Sequence, residues 1–598
     1  MQDMSRRGIA LLCGAIFLLC CAGAPGRSLT VGHGDYTKTQ QDIAGLIEQA
    51  MKKNGVTGLS IALVDDQQVV WAQGFGSADE TNNIPATPET VYRVGSISEL
   101  FTATAAMQLA EQGKIDIDRP LQTYLPEFSI NRHFVDTEPI TLRHLMSHHA
   151  GLPTNALKGM WSTTAAPFTT VVDVLRNEYT AYPPNVVWSF SNLGVTLVGH
   201  VIEKMSGEAF AARLEKAVLR PLGMRHAAFS ARPDALFMAK AYRNGAEMAE
   251  TSVRDLPALG LHASVLDMSR FIQMVFANGR SGDQQVLQPA TLAEMLRPQN
   301  DAVGLDQGFH VGLGWLLSGL GSLDIQGAGA VAHHAGATLL FRSQLIILPA
   351  QKLGVVVLSN SSSAHKVVKT VATEALTLAL EAKTGIKQPE QKTPADSPNG
   401  LPPTALQVYA GHYATAFGLV TIKNKSGSLR AEALNRTFRL VPRVDGQLRA
   451  QYKLLGLLPI NLGDLDHIGL SHTTLAGREL LIARHGTQAA LIGEKLTPAP
   501  VSDIWQRRVG AYTIINRGTD TVAFDDVQLR YHEGFLVVDY TVPLFADGTM
   551  SLVLEPISDT EAVTRGLGRG MGETLRVVTV NSQESLQYSG YLLQRKAR

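Results

Sequence analysis

Apolar positions recur at helical spacing from Thr37 to Asn54, then give way to two β-rich runs at 59–64 and 69–75. The polar turn Asp65-Asp66-Gln67-Gln68 joins these runs. Helical patterns return at 96–112, 192–205 and 264–277, strands are expected at 339–348 and 353–358, and a last helix at 367–382. Two early strands, a helical middle and returning late strands predict one α+β domain whose sheet is completed from both ends. Between 385 and 404, Pro389, Pro394, Pro398, Pro402 and Pro403 sit among polar residues, the composition of an extended linker. Beyond it the pattern becomes short alternating strands with glycine turns. Gly411-His412-Tyr413 and Gly427-Ser428-Leu429 are echoed by Gly510-Ala511-Tyr512 and Gly534-Phe535-Leu536. That weak repeat suits two β-barrel-like units, 405–499 and 500–598, with a single larger β domain as the alternative.

The chain of 598 residues is long enough for several domains, and at 45% apolar and 18% charged it reads as globular. Its 53 basic and 53 acidic residues balance, which argues against nucleic acid or an anionic membrane as a partner. Arg6 and Arg7 precede an apolar stretch from Gly8 to Ala24, followed by the small-x-small pattern Ala22-Gly23-Ala24 and an unfavourable Pro25. Seventeen residues (8–24) are short for a membrane span, so 1–27 reads as an export signal, a retained anchor being the alternative. No stable membrane span is expected after cleavage. Cys13, Cys20 and Cys21 all lie in this segment, leaving a mature chain without disulfides, thiol catalysis or cysteine-bound metal. Cys20 and Cys21 are candidates for lipidation, but the small residue usual ahead of a lipidated cysteine is missing. The histidines lack ligand spacing, so neither metal nor cofactor is expected.

The chemistry centres on Gly95-Ser96-Ile97-Ser98-Glu99 at the head of an apolar run. A serine three residues ahead of a partner on one helix face is the arrangement of a serine nucleophile with its activating group. The same Ser-x-x-Glu pattern also describes a capping box, in which the Ser96 hydroxyl and the Glu99 carboxylate satisfy each other's backbone amides. This segment alone leaves both readings open.

Further segments bear on the choice. Tyr92-Arg93-Val94-Gly95-Ser96-Ile97-Ser98, Thr141-Leu142-Arg143-His144-Leu145-Met146-Ser147-His148 with Gly151-Leu152, Phe190-Ser191-Asn192, Pro221-Leu222-Gly223-Met224, Gly312-Leu313-Gly314-Trp315 and His334-Ala335-Gly336 follow in order. Together they resemble the β-lactamase-related serine hydrolases, which include class C β-lactamases, esterases and D-amino-acid-specific peptidases. The resemblance runs from about 38 to 383 and implies a β-lactamase/penicillin-binding-protein-like domain at 28–384, an antiparallel sheet plus a helical region. It also implies a nucleophile at Ser96, a substrate-binding Asn192, and a strand whose Gly336 admits substrate backbone. The amide of Ala337 would then join that of Ser96 in an oxyanion hole. A bacterial periplasmic or secreted location follows from the signal and the family.

Two positions depart from the family's pattern. Its Ser-x-x-Lys lysine is replaced by Glu99, and its Tyr-x-Asn tyrosine by Phe190. Both groups that activate the serine are therefore gone, and general-base help is worth ~10²–10⁴-fold. Three readings follow. In the first, the site is repurposed: Glu99 acts as acid or base on a small polar substrate, for example in glycoside cleavage or transfer, or within a Ser-His-Glu set built with His334. The second is a non-catalytic protein whose cleft, including Phe190, holds a small-molecule, glycan or peptide-like ligand. The third is a weak esterase, amidase or peptidase working through Ser96. His334 is also a candidate for substrate binding without proton transfer. His148 and His149 are expected to support the loop at Gly151, and Asp255 and Asp267, possible second carboxylates, to serve as turn or cap residues. Substrate and oligomeric state are not legible.

Overall fold

The structure, a computed structural model, describes residues 34–597 except 233–236, 318–322, 390–393, 399, 417, 434–435, 455–457, 461–465, 487, 523 and 543–548. The expected export segment with Cys13, Cys20 and Cys21 lies outside the described residues.

The early and late strands form one antiparallel sheet in the order Ala332–Ala337, Arg342–Leu348, Leu353–Ser359, Gly58–Asp65, Gln68–Asp79, Ile84–Pro85. The pattern places a strand at 339–348; the observed one begins at Arg342, because Thr338 and Phe341 close a tight turn onto the preceding strand, which carries His334-Ala335-Gly336. Both ends of the domain complete the sheet because its central strands are apolar on both faces, as a two-sided core requires. Thr37–Asn54 and His365–Thr384 cover one face. Val265–Phe276 lies against the other, beside the helical region. At the centre of that region runs Ser98–Glu111, buried at every position from Ser98 through Leu109. A helix wrapped by core on all sides has no solvent face to accommodate a charge. Glu99, in its first turn, is therefore a carboxyl placed in the protein interior.

The C-terminal region is two closed eight-stranded antiparallel barrels. The first runs from Gly411–Thr415 to Gln488–Leu496 and closes through pairing of Arg436–Pro442 with Leu448–Leu454, the short strand Leu458–Ile460 being appended. In the second, Gly510–Ile514 meets both Asp525–His532 and Tyr591–Arg595. The sequence echo has a structural counterpart. Tyr413 and Tyr512, both buried, donate their hydroxyls to the carbonyls four residues back, Tyr409 at 3.0 Å and Arg508 at 2.6 Å. A short helix, Pro403–Gln407 or Asp503–Arg507, precedes each. The proline-rich stretch is tied down where it meets the first barrel: Asp396 accepts from Arg449 at 2.7 and 2.8 Å, and the Ser397 amide donates to Pro442.

Candidate active site

Ser96 sits half-buried in a single tight turn, Gly95–Ile97, ahead of the helix. Gly95 adopts φ 57°, a conformation that favours glycine, and a Cβ there would lie 2.5 Å from the Ala337 amide nitrogen. Gly336 is equally constrained, since a Cβ would collide with the Val94 carbonyl oxygen and the Ser343 hydroxyl. Ser343 donates to that same carbonyl at 2.7 Å. Turn and strand are thus locked together through backbone. Hydrogen bonds alternate along the strand. Thr338 bonds inward to Phe341, while His333 exchanges bonds outward with Leu316. By that alternation Ala335 and Ala337 direct their backbone groups to the outer edge, where Ala337 faces the serine turn. Ser98 holds the turn from below: its hydroxyl donates to the Gly95 carbonyl at 2.6 Å and accepts from the Leu261 amide at 3.0 Å.

The capping box does not form. Ile97 is the residue ahead of the helix, no side chain caps it, and neither Glu99 oxygen makes a hydrogen bond. Glu99 is 1% exposed and faces two imidazoles instead. His148 Nε2 lies 3.1 Å and His334 Nε2 3.8 Å from Glu99 Oε2, neither aligned as a hydrogen bond. Burial pushes the Glu99 carboxyl up to about 8, against the opposing pull of His334 and Arg569. Burial likewise pushes His148 down to about 3 and lowers His334. At neutral pH the trio is uncharged.

Neighbouring backbone fixes the tautomers. A carbonyl can only accept, so His334 Nδ1, 2.8 Å from the Ala335 oxygen, carries the proton and leaves Nε2 as a lone pair toward Glu99. His148 Nδ1 accepts from the Ser191 amide at 3.2 Å, so its Nε2 bears the hydrogen. Protonated Glu99 thus has a donor on one side and an acceptor on the other.

His334 Nδ1 is held by the Ala335 carbonyl, and its Nε2 faces Glu99 at 3.8 Å without a hydrogen bond. One expectation is corrected. His148, expected to support a loop, is part of the site; it adopts φ 59° and carries its ring against Phe190, 4.5 Å between centroids. His149 does support its loop, through Asp306 at 2.9 Å and Ser147 at 3.2 Å. Neither candidate second carboxylate reaches Glu99: Asp255 is held by Arg254 at 2.6 Å, and Asp267 forms a capping box with Ser264. Among the described residues no group of His, Cys, Asp and Glu is suited to hold a metal.

Phe190 and Asn192 are both buried. Phe190 joins a hydrophobic cluster with Trp188 and Val311. Asn192 Nδ2 donates to Asn155 at 2.8 Å, while its Oδ1 has no hydrogen bond. One residue escaped sequence reasoning entirely. Arg569 arrives from the second barrel and lies over the Phe190 ring, 4.6 Å from its centroid. The only trace of it in the sequence is the glycine-rich run Gly566-Leu567-Gly568-Arg569-Gly570-Met571-Gly572.

Comparison with known proteins accords with this geometry. The Beta-lactamase family model matches residues 43–379. Beta-lactamase-like protein 2 of Dictyostelium discoideum is 26% identical over 241 residues, covering 38% of this chain and 44% of that protein. Protein flp of Staphylococcus aureus is 22% identical over 338 residues, 55% of this chain and 64% of that protein. The match thus spans less than two thirds of either relative. Among solved structures, SurE superposes with TM-score 0.54 at 23% identity over 77% of this chain and 100% of that one. The octameric penicillin-binding protein homologue from Pyrococcus abyssi gives 0.51 at 23% over 76% and 98%. These likenesses extend past the sheet domain, whereas EstCE1, at TM-score 0.50 and 21% identity, covers 56% of this chain and 98% of its own. With more than half of its residues matched, in the order that carries Ser96, Phe190-Ser191-Asn192 and His334-Ala335-Gly336, the chain belongs to the beta-lactamase family.

Proposed function

We propose that this protein is an exported serine hydrolase of the bacterial envelope in which Glu99 has taken over the work of the missing lysine. Ser96 attacks the carbonyl of a small polar or peptide-like acyl substrate, with the amides of Ser96 and Ala337 receiving the developing oxyanion. Ionised Glu99 takes the serine proton, and His334 Nε2 stands behind it as the next acceptor. The observation that carries this reading is a wholly buried carboxyl left without a hydrogen bond between two imidazoles of fixed tautomer. Such a group destabilises the fold, and groups of this kind concentrate at functional sites. Burial also makes Glu99 a far stronger base than an ordinary carboxylate, close to the range a general base needs. Two-carboxylate glycoside chemistry finds no partner for Glu99 in Asp255 or Asp267.

A second reading, ligand binding without turnover, draws support from Phe190, an apolar ring where a proton-relaying hydroxyl would stand. A fluorophosphonate probe followed by intact mass separates the two. Hydrolase chemistry predicts labelling that climbs with pH and levels off above about 8 as Glu99 ionises. It also predicts no adduct in Ser96→Ala and loss of the pH step in Glu99→Gln. No adduct on the wild type at any pH, with labelling of Glu99→Lys/Phe190→Tyr, would establish the binding protein instead.

A further inference from the structure

The 566–573 loop of the second barrel is docked against the walls of the cleft. Tyr182 donates to the Gly566 carbonyl at 3.0 Å, Ser189 to the Gly568 carbonyl at 3.3 Å, and the Gly570 amide to Thr154 at 2.9 Å. Glu573 anchors the end of the loop, accepting from the Thr154 amide at 3.0 Å and from Tyr588 at 2.7 Å. Glycine is needed where the loop crosses the wall: a Cβ at Gly572, already at φ 73°, would lie 2.7 Å from the Ala181 carbonyl oxygen. At the crest of this fixed loop stands Arg569. Its side chain is exposed and stacks on Phe190, yet it donates no hydrogen bond to any described residue. Phe190 in turn touches His148, the neighbour of Glu99.

A guanidinium set over an aromatic ring and making no hydrogen bond to a described residue has its fork of donors available, and that fork matches a carboxylate. The chain is neutral overall, so attraction of an anion to this cleft has to come from a local cation rather than from the whole protein's field. We propose that Arg569 is a substrate-binding residue supplied by the second barrel, and that it selects acyl substrates bearing a carboxylate. The inference rests on the acyl-transfer reading of Ser96 for its substrate class, but the cation's preference is measurable apart from that chemistry.

The test uses the full chain and three fluorophosphonates of equal length, ending in a methyl, a carboxylate or a trimethylammonium group. In the wild type the carboxylate probe should label Ser96 at least tenfold faster than the methyl probe. That ratio should fall to within about twofold in Arg569→Ala, be kept in part by Arg569→Lys, and turn toward the ammonium probe in Arg569→Glu. Equal labelling by the carboxylate and methyl probes, or a preference that survives Arg569→Ala, overturns the proposal. If no probe labels Ser96, the acyl-transfer reading fails alone. The same probes are then titrated into Ser96→Ala by quenching of Trp188, which lies 6.3 Å from Phe190. Tenfold tighter carboxylate binding that collapses in Arg569→Ala sustains Arg569, and equal affinities sink it.

Discussion

On one wall of the cleft the backbone of the serine turn abuts the 336–337 stretch so closely that side chains at 95 and 336 are excluded. On the second wall Glu99, His148, His334 and Phe190 meet through side chains. The difference separates what the fold itself secures from what single side chains decide. An oxyanion hole made of amides is a property of the fold, and losing it requires breaking the packing between two elements. A side chain on a buried helix can be exchanged without breaking such a contact, and the cost falls on the desolvation of the newcomer.

The most severe way to break the first wall is Gly336→Val. Its branched side chain would be forced into the Val94 carbonyl and Ser343, so a loss of ~3 kcal/mol or more is expected, with probe labelling lost. Chemical denaturation and labelling together check this; a stable, fully labelled variant would show that the close approach is not needed. The second wall yields to Glu99→Gln, with an effect that depends on pH. The folded carboxyl holds its proton up to about 8, against an ordinary 4.5. Between those values the unfolded chain has released a proton that the folded chain keeps, so stability falls as pH rises. The slope is ~1.4 kcal/mol per pH unit, giving ~2 kcal/mol between pH 6 and 7.5. His148 and His334, lowered by burial, act with the opposite sign: their stability is lost as pH falls through the ordinary imidazole range. Both remain in the variant, so the difference between the two proteins reports Glu99 together with its coupling to His334. Parallel urea titrations from pH 5 to 9 should show it; identical pH profiles would mean that Glu99 is ionised throughout.

How much of this was written in the sequence follows the same division. The serine turn, the glycine of the edge strand and the sheet domain are set by local pattern and ordered motifs, and they are legible for that reason. The partners of Glu99 are not. His148 is 49 residues away and enters the site because its backbone takes a left-handed turn after a short helix, Leu142–Met146. His334 was visible as a candidate, but its role depended on which nitrogen the Ala335 carbonyl captures. Arg569 lies 470 residues beyond Glu99, in the second barrel, and its glycines read in isolation as an ordinary turn. Periodicity carries no information across such separations.

A milder disturbance of the first wall is Ser98→Ala. Its hydroxyl serves the Gly95 carbonyl and the Leu261 amide at once, and both are buried. Removing it strands the Leu261 N–H, at an expected ~1–2 kcal/mol, while Ser96 labelling slows because the turn loses its support. Unchanged stability by thermal melting, with unchanged labelling, would place the rigidity of the turn wholly in the 336–337 contact.

The smallest effect concerns the loop that the second barrel lays beside Phe190. Glu573 is buried and uses its two oxygens separately, Oε1 for the Thr154 amide and Oε2 for Tyr588. In Glu573→Gln one oxygen remains for the amide, and the new NH₂ donates to a Tyr588 hydroxyl turned to accept. Every bond survives in changed polarity, so the cost should stay below ~1 kcal/mol. Glu573→Ala leaves the Thr154 amide without its acceptor and should cost more. Trp188 fluorescence should remain at its wild-type value in the glutamine variant and change in the alanine variant, since the Gly568 carbonyl that meets Ser189 beside Trp188 belongs to the same loop. If both variants behave alike, the loop is held by its glycine packing against Ala181 and Tyr182. The second barrel would then follow the rule of the first wall, attachment through backbone, rather than that of the second.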